Sequence, residues 1–102
     1  MESQYTRKEV LELLDINANK LNRYQKQGLF QISYDESGRR IFNSFHLKLI
    51  KEIQQYEQMG FDTREIHTIL NMSEAELSVF LKDYLKQLNK QASLVKEFLK
   101  QA

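Results

Sequence analysis

The segment Asn17–Gln27 carries amide and basic side chains of the kinds that bind DNA, and it contains no acidic residue. If it is helical, Ala18, Leu21 and Tyr24 recur every three residues and face the core. Asparagine can bond an adenine edge twice, arginine can do the same to guanine, and lysine supplies charge toward phosphate. A solvated helix face is the alternative. The candidate DNA-contacting residues here are Asn19, Lys20, Asn22, Arg23 and Lys26.

A second basic cluster follows a turn. Asp35-Glu36-Ser37-Gly38 is typical of a tight connection between two strands, and Arg39 and Arg40 come directly after it. Two guanidinium groups at the tip of a protruding hairpin could clamp a DNA backbone. The alternative is a charged edge strand that resists aggregation. A basic helix followed by a basic hairpin favours DNA more than either feature alone.

One helix-start signal occurs three times in the chain and locates the elements around these clusters. A Ser, Thr or Asp is followed three residues later by Glu, so that each side chain can accept a hydrogen bond from the other residue's backbone N–H. The signal predicts helices beginning near residues 6, 62 and 73. The pairs are Thr6 with Glu9, Asp62 with Glu65, and Ser73 with Glu76.

Periodicity fills in the remaining elements. Helices are predicted over residues 7–14, 17–27 and 44–59, then from 62 and from 74 to 102, with strands over 29–34 and 39–42. The predicted order is therefore two short helices, a β-hairpin, two further helices and a long terminal helix. The side chains expected to face the interior include Val10, Leu13 and Leu14, then Phe30, Ile32 and Tyr34, and later Leu49, Ile50, Ile53 and Tyr56.

The last segment has the spacing of a coiled-coil seam. Apolar residues alternate at four- and three-residue steps, with Gln91 the one polar interruption. A helix of this length extends about 40 Å, too far to pack wholly on a small domain, which favours pairing of two subunits. Packing against the third and fourth helices is the alternative. The expected dimer contacts are Leu77, Leu81, Tyr84, Leu88, Val95 and Phe98.

Taken in order, these motifs resemble the MerR family of transcriptional regulators over residues 5–71. The matching features are the opening Tyr5-Thr6 with Glu9-Val10, Leu21 and Tyr24 with Gly28-Leu29, the hairpin Gly38-Arg39-Arg40-Ile41-Phe42, and Phe45, Leu49 and Ile50 with Met59-Gly60-Phe61, Glu65 and Ile66. One position departs from the family, in which an arginine precedes two aromatic residues in the second helix. Here the run is Asn22-Arg23-Tyr24, so that arginine is absent or displaced by one position.

The resemblance implies a mostly α-helical, winged helix-turn-helix fold with a small β-hairpin wing and a long C-terminal coiled-coil helix. Residues 1–72 would bind DNA and residues 73–102 would form the dimerisation helix. It also implies major-groove contact around residues 19–23 and backbone contact by the wing. The expected function is a sequence-specific, double-stranded DNA-binding transcriptional regulator of bacterial or phage type. A two-fold symmetric homodimer would bind an inverted-repeat site.

Other functions are disfavoured by what the sequence lacks. It has no cysteine, and His46 and His67 lie far apart, so neither a metal nor another cofactor is expected. No nucleophile–base–acid set or phosphate loop can be assembled, so we expect no enzyme. The absence of signal-peptide and membrane-spanning patterns favours a cytoplasmic protein. Since the sequence ends at Ala102, no small-molecule sensor is expected either.

Two alternatives to the regulator stay open at this stage. One is a protein-binding adaptor, like the small MerR-like modulators of DnaJ-type chaperones, which uses the same surface for a protein partner. The other is an excisionase-like architectural DNA-binding protein. The net charge of +1 does not discriminate among them. The two arginines on the wing favour DNA, because an adaptor has no need of basic residues there.

Overall fold

The computed structural model describes residues 4–101 and contains five helices and three short strands in that range. Backbone contacts divide the chain into two compact units, residues 1–67 and residues 68–102. The elements in chain order are β1 (Gln4–Tyr5), α1 (Arg7–Leu13), α2 (Ala18–Lys26), β2 (Ser33–Tyr34), β3 (Arg40–Asn43), α3 (Ser44–Gln58), α4 (Thr63–Leu70) and α5 (Glu74–Gln101).

All three predicted helix starts are confirmed, each with hydrogen bonds in both directions between the capping residue and the glutamate. At α1 the backbone N–H of Glu9 donates to the Thr6 hydroxyl over 3.2 Å, and the Thr6 N–H donates to the Glu9 carboxylate over 2.9 Å. The same exchange joins residues 62 and 65, and residues 73 and 76. Local side-chain chemistry therefore fixes where these helices begin.

A fourth such start lies at α3 and was not predicted. The N–H of His46 donates to Asn43 Oδ1, and the N–H of Asn43 donates back to His46 Nδ1, both over 3.0 Å. His46 Nε2 lies 2.7 Å from the carbonyl oxygen of Gln31, so it carries the proton that it donates there. His46 is buried, with 7% of its surface exposed. Its ring joins residues 31 and 43 to α3.

The sheet has the strand order β1-β3-β2, with both pairs antiparallel. Gln4 pairs with Asn43, and Ser33 pairs with Ile41. The predicted strand 29–34 is wrong in its extent, because only its last two residues pair with β3. Leu29 and Phe30 are both buried instead of alternating, and Tyr34 is 58% exposed. The predicted return strand, 39–42, begins and ends one residue later in the structure.

The core of the first unit combines aliphatic side chains of the helices with an aromatic group beneath the sheet. The rings of Phe30, Phe42 and His46 lie about 6 Å apart, in tilted and edge-on arrangements. Leu13 was expected in the interior and is 62% exposed, because α1 ends there and turns away through Asp15. The fully buried side chains of this unit include Val10, Leu21, Tyr24, Phe42, Ile50, Ile53 and Ile66.

The long terminal helix α5 spans 28 residues and has no buried residue. Leu77, Leu81 and Tyr84 are half-buried. Beyond them the apolar side chains are exposed, with Leu88 at 40% and Phe98 at 72%. No helix among residues 4–101 is long and apolar enough to span a membrane.

Candidate nucleic-acid interface

The polar face of α2 lies on the surface of the first unit. Leu21 and Tyr24 are buried beneath it, at 0% and 1% exposure, as the three-residue spacing predicts. Asn17 caps the helix by accepting the N–H of Lys20 over 2.8 Å, and the turn at Gly28 ends it. The five candidate residues of this helix are all exposed, namely Asn19, Lys20, Asn22, Arg23 and Lys26.

One side of α2 is occupied by Glu57, near the end of α3. Arg23 Nη2 donates to Glu57 Oε2 over 2.8 Å, and the Tyr24 hydroxyl donates to Glu57 Oε1. Lys20 Nζ lies 3.9 Å from the same carboxylate. The Arg23 guanidinium also lies 5.6 Å from the centre of the Tyr24 ring. A single carboxylate therefore offsets part of the charge of two candidate DNA-contacting residues.

The other side of α2 meets two arginines. Asn22 Oδ1 accepts hydrogen bonds from Arg7 Nη2 of α1 and from Arg40 Nη1 of β3, each over 3.1 Å. Because a guanidinium group only donates, the atom of Asn22 that faces the two arginines must be its oxygen. This contact joins the wing directly to the middle of α2. Together they form one continuous basic surface.

The wing is held in shape by its own turn. Asp35 Oδ1 accepts the backbone N–H groups of Ser37 and Arg39, each over 2.9 Å. Gly38 has a φ of 80°, a left-handed conformation that glycine adopts without steric cost. Arg39 is exposed at the turn, while Arg40 is half-buried against α2. The turn therefore directs two adjacent arginines into different environments.

Two residues of this surface were missed by the sequence reasoning, Arg7 and Glu57. Arg7 lies 15 residues from Asn22, and Glu57 lies 34 residues from Arg23. The one local signal was the position of Arg7, directly after the cap Thr6 at the start of α1. Nothing in the spacing of Glu57 sets it apart from other surface glutamates. Asn19 and Lys26, by contrast, make no side-chain hydrogen bond or ion pair with residues 4–101.

Hydrogen bonds between Thr6 and Glu9 hold the start of α1 in place. Two hydrogen bonds with Thr6 lower the pKa of Glu9 from its ordinary value of 4.5. The one with the backbone N–H has the larger effect and the one with the hydroxyl the smaller. Since Arg7 lies in the same helical turn, this cap helps to hold its backbone in place. Among residues 4–101 there is no cluster of three or more His, Asp or Glu side chains that could hold a metal ion.

A protein-family comparison identifies the domain that carries this surface. The model described as the MerR HTH family regulatory protein matches residues 5–73, about two thirds of the chain. The chain belongs to the MerR family. The resemblance stated from the ordered motifs is thereby confirmed. No curated protein matches the chain.

Solved structures of MerR-family proteins share the fold along nearly the whole chain. HiNmlR, described as a MerR family regulator lacking the sensor domain and bound to promoter DNA, aligns with a TM-score of 0.72 and 25% identity, covering 96% of this chain and 80% of its own. A MerR-family transcriptional regulator from Bacillus cereus aligns with a TM-score of 0.77 and 24% identity, covering 96% and 74%. The mostly helical fold with a small wing and a long terminal helix is therefore confirmed.

Proposed function

We propose that this MerR-family regulator binds double-stranded DNA in a sequence-specific manner, through α2 in the major groove and the wing on the backbone. The observation that carries the proposal is the hydrogen bond from Arg40 to Asn22, which makes α2 and the wing one basic surface. The crystallised complex of HiNmlR with promoter DNA, a protein of the same fold at 25% identity, supports the same class of partner.

The candidate residues of α2 and the wing would have different roles in DNA binding. Asn19 and Lys26 share an exposed face of α2 and have side chains free to contact base edges or phosphates. Lys20 and Arg23 face the DNA from beside Glu57. Arg39, exposed at the wing turn, provides a backbone contact.

The test is fluorescence anisotropy across a salt series, with two duplexes of equal length. One duplex is selected by the protein from a random-sequence pool, and the other is unrelated. We expect the selected duplex to bind more tightly, and log K for both to fall linearly as log salt rises. Absence of binding at low salt would refute the proposal and favour the protein-binding adaptor. Equal affinity for both duplexes would favour an architectural role.

We also propose that α5 pairs two subunits into a homodimer. The apolar side chains of its second half are exposed to between 40% and 72%, and they recur at the spacing of a coiled-coil seam. A second copy presents the same seam, so pairing would bury both at once. A two-fold dimer carries two α2 helices and would bind an inverted repeat.

The dimer is tested by sedimentation of a Leu81→Glu/Leu88→Glu double variant. We expect the mass of a monomer, with the helical content of the first unit retained by circular dichroism. A Lys82→Glu/Asn89→Glu variant makes α5 more negative one residue beyond each leucine, outside the proposed seam, and should keep the dimer mass. An unchanged mass for the leucine variant would refute the seam.

A further inference from the structure

The contact of Asn22 with two arginines restricts what its side chain can do. Arg7 Nη2 and Arg40 Nη1 each lie 3.1 Å from Asn22 Oδ1. An amide oxygen has two lone pairs, and these two hydrogen bonds use both. Reading adenine with two hydrogen bonds requires the same oxygen to accept from the base. Asn22 therefore cannot read adenine in this way while it holds both arginines.

The cluster also carries positive charge that residues 4–101 offset only in part. Within that range neither Arg7 nor Arg40 forms an ion pair with a carboxylate. Lys8 and Arg39 line the same open cleft between α1 and the wing. Asp35, whose Oδ1 accepts backbone N–H groups of the turn, is the one carboxylate among residues 4–101 that lines this cleft against four cationic side chains. Cations gathered around a neutral amide repel one another, which favours binding of an anion between them.

The geometry of the donors suits a particular anion. The two guanidinium nitrogens lie within about 6 Å of each other, since both contact one oxygen atom. Arg7 Nε is buried without a hydrogen-bond partner among residues 4–101, so the Nη groups are the donors left to bind a ligand. Planar guanidinium groups match the paired oxygens of a phosphodiester.

We propose that Arg7 and Arg40 together bind one DNA backbone phosphodiester, and that Asn22 is a positioning residue for them, not a base-reading residue. This inference rests on the proposed DNA-binding function. It adds a contact from α1, and it gives Asn22 a role of its own. Arg7 supplies a guanidinium group from α1 beside the middle of α2.

The first test uses the salt-series assay with the full chain, the selected duplex and the unrelated duplex. Arg7→Gln should weaken binding to both by about tenfold per subunit near 0.1 M salt, and lower the salt slope by about one per subunit. Lys51→Gln removes the same charge from an exposed site on α3 and is the matched control. An Arg7→Gln variant that behaves like Lys51→Gln would overturn the role of Arg7.

Asn22 is tested in the same assay through its coupling to Arg7. Asn22→Ala should weaken binding to both duplexes by the same factor, so that the ratio of their affinities is unchanged. In an Arg7→Gln background the same substitution should have a smaller effect, because one of its two partners is already gone. Loss of affinity for the selected duplex alone would show that Asn22 reads bases, and would overturn the positioning role. If the wild-type chain bound neither duplex, the proposed function itself would fail.

A second measurement removes charge from the DNA instead of the protein, so it does not depend on how the variants fold. Single methylphosphonate groups are placed along the backbone of the selected duplex. At one phosphate in each half-site, the neutral group should weaken binding of the wild-type chain more than binding of Arg7→Gln, in which Arg40 alone remains to contact that phosphate. If every methylphosphonate weakened both proteins equally, no phosphate would depend on Arg7 and the inference would be wrong.

Discussion

The basic side chains on the two sides of α2 have different partners. On the side toward α3, Glu57 lies beside Lys20 and Arg23, so a carboxylate offsets part of their charge. On the side toward α1 and the wing, Asn22 gathers Arg7 and Arg40 around a neutral oxygen. Asn22 and Arg23 are neighbours in sequence, yet their side chains join different networks.

The two sides of α2 are therefore expected to contribute differently to the free energy of DNA binding. An arginine already paired with a carboxylate must lose or share that partner to bind DNA, so it contributes less net attraction. The pair that shares an amide keeps its full charge and attracts any phosphate, whatever the sequence. We therefore expect the wing side to dominate overall affinity. The Glu57 side should instead limit how strongly α2 binds unselected DNA.

We expect the largest loss of DNA affinity when a carboxylate is placed on the wing side of α2, as Glu57 is on the other side. Asn22→Asp places a carboxylate between Arg7 and Arg40, and we expect it to weaken binding to both duplexes by at least about tenfold per subunit near 0.1 M salt. The same change should raise the free energy of unfolding by about 0.5–1 kcal/mol, because ion pairs with a carboxylate replace two hydrogen bonds from arginine to a neutral amide. Anisotropy and urea denaturation measure the two effects.

The control for this exchange is Asn89→Asp, which adds the same charge on exposed α5. It should leave affinity and stability nearly unchanged. If Asn22→Asp weakened binding no more than Asn89→Asp does, the two sides of α2 would not differ in the way proposed. A drop in stability would likewise argue against the arrangement around Asn22.

The reverse exchange should have a smaller effect of opposite sign. Glu57→Gln keeps an acceptor for the Tyr24 hydroxyl but removes the charge beside Lys20 and Arg23. We expect affinity for the unrelated duplex to rise about threefold at low salt. The free energy of unfolding should fall by about 1 kcal/mol, because a part-buried, charge-assisted contact is weakened. The same two assays apply.

Glu12→Gln makes the same substitution at an exposed position on α1 and provides the comparison. Its affinity gain should be smaller, since no candidate DNA-contacting side chain pairs with Glu12 among residues 4–101. Equal gains from both variants would mean that Glu57 acts only through net charge and does not compete with DNA for Arg23.

The sequence predicted the parts of this molecule that local chemistry determines. The caps at Thr6, Asp62 and Ser73 need only residues within one turn, and the buried face of α2 follows from three-residue spacing. The exposed Leu13 shows the limit of such reasoning, because periodicity does not tell where a short helix turns away from the core. Secondary structure and helix faces were therefore accessible from the sequence.

Contacts between distant segments were not accessible. The strand β1 is two residues long and exists through pairing with β3, some 38 residues later, so no local pattern indicates it. His46 was missed as a cap because histidine rarely takes the place of the usual glutamate or glutamine. The outward residues of α2 differ in their contacts only because the fold brings Arg7 and Glu57 beside the helix.

The smallest predicted effect concerns the cap that holds Arg7 in place. Hydrogen bonds from Thr6 lower the pKa of Glu9 in the folded chain, so the cap stabilises the fold above the unfolded value of about 4.5 and is lost as pH falls through the lowered pKa. In an NMR titration of the carboxyl carbons, Thr6→Ala should move the pKa of Glu9 part of the way back toward 4.5. The backbone N–H of residue 6 still donates, so the return should be incomplete.

Glu76 provides the matched comparison, because Ser73 lowers its pKa through the same pair of hydrogen bonds at the start of α5. Ser73→Ala should shift Glu76 in the same direction but leave DNA binding unchanged. Thr6→Ala should also weaken DNA binding slightly at neutral pH, because Arg7 lies in the turn that this cap orders. If both alanine variants bound DNA like the wild-type chain, the phosphate contact of Arg7 would not depend on the start of α1, and Asn22 alone would have to position it.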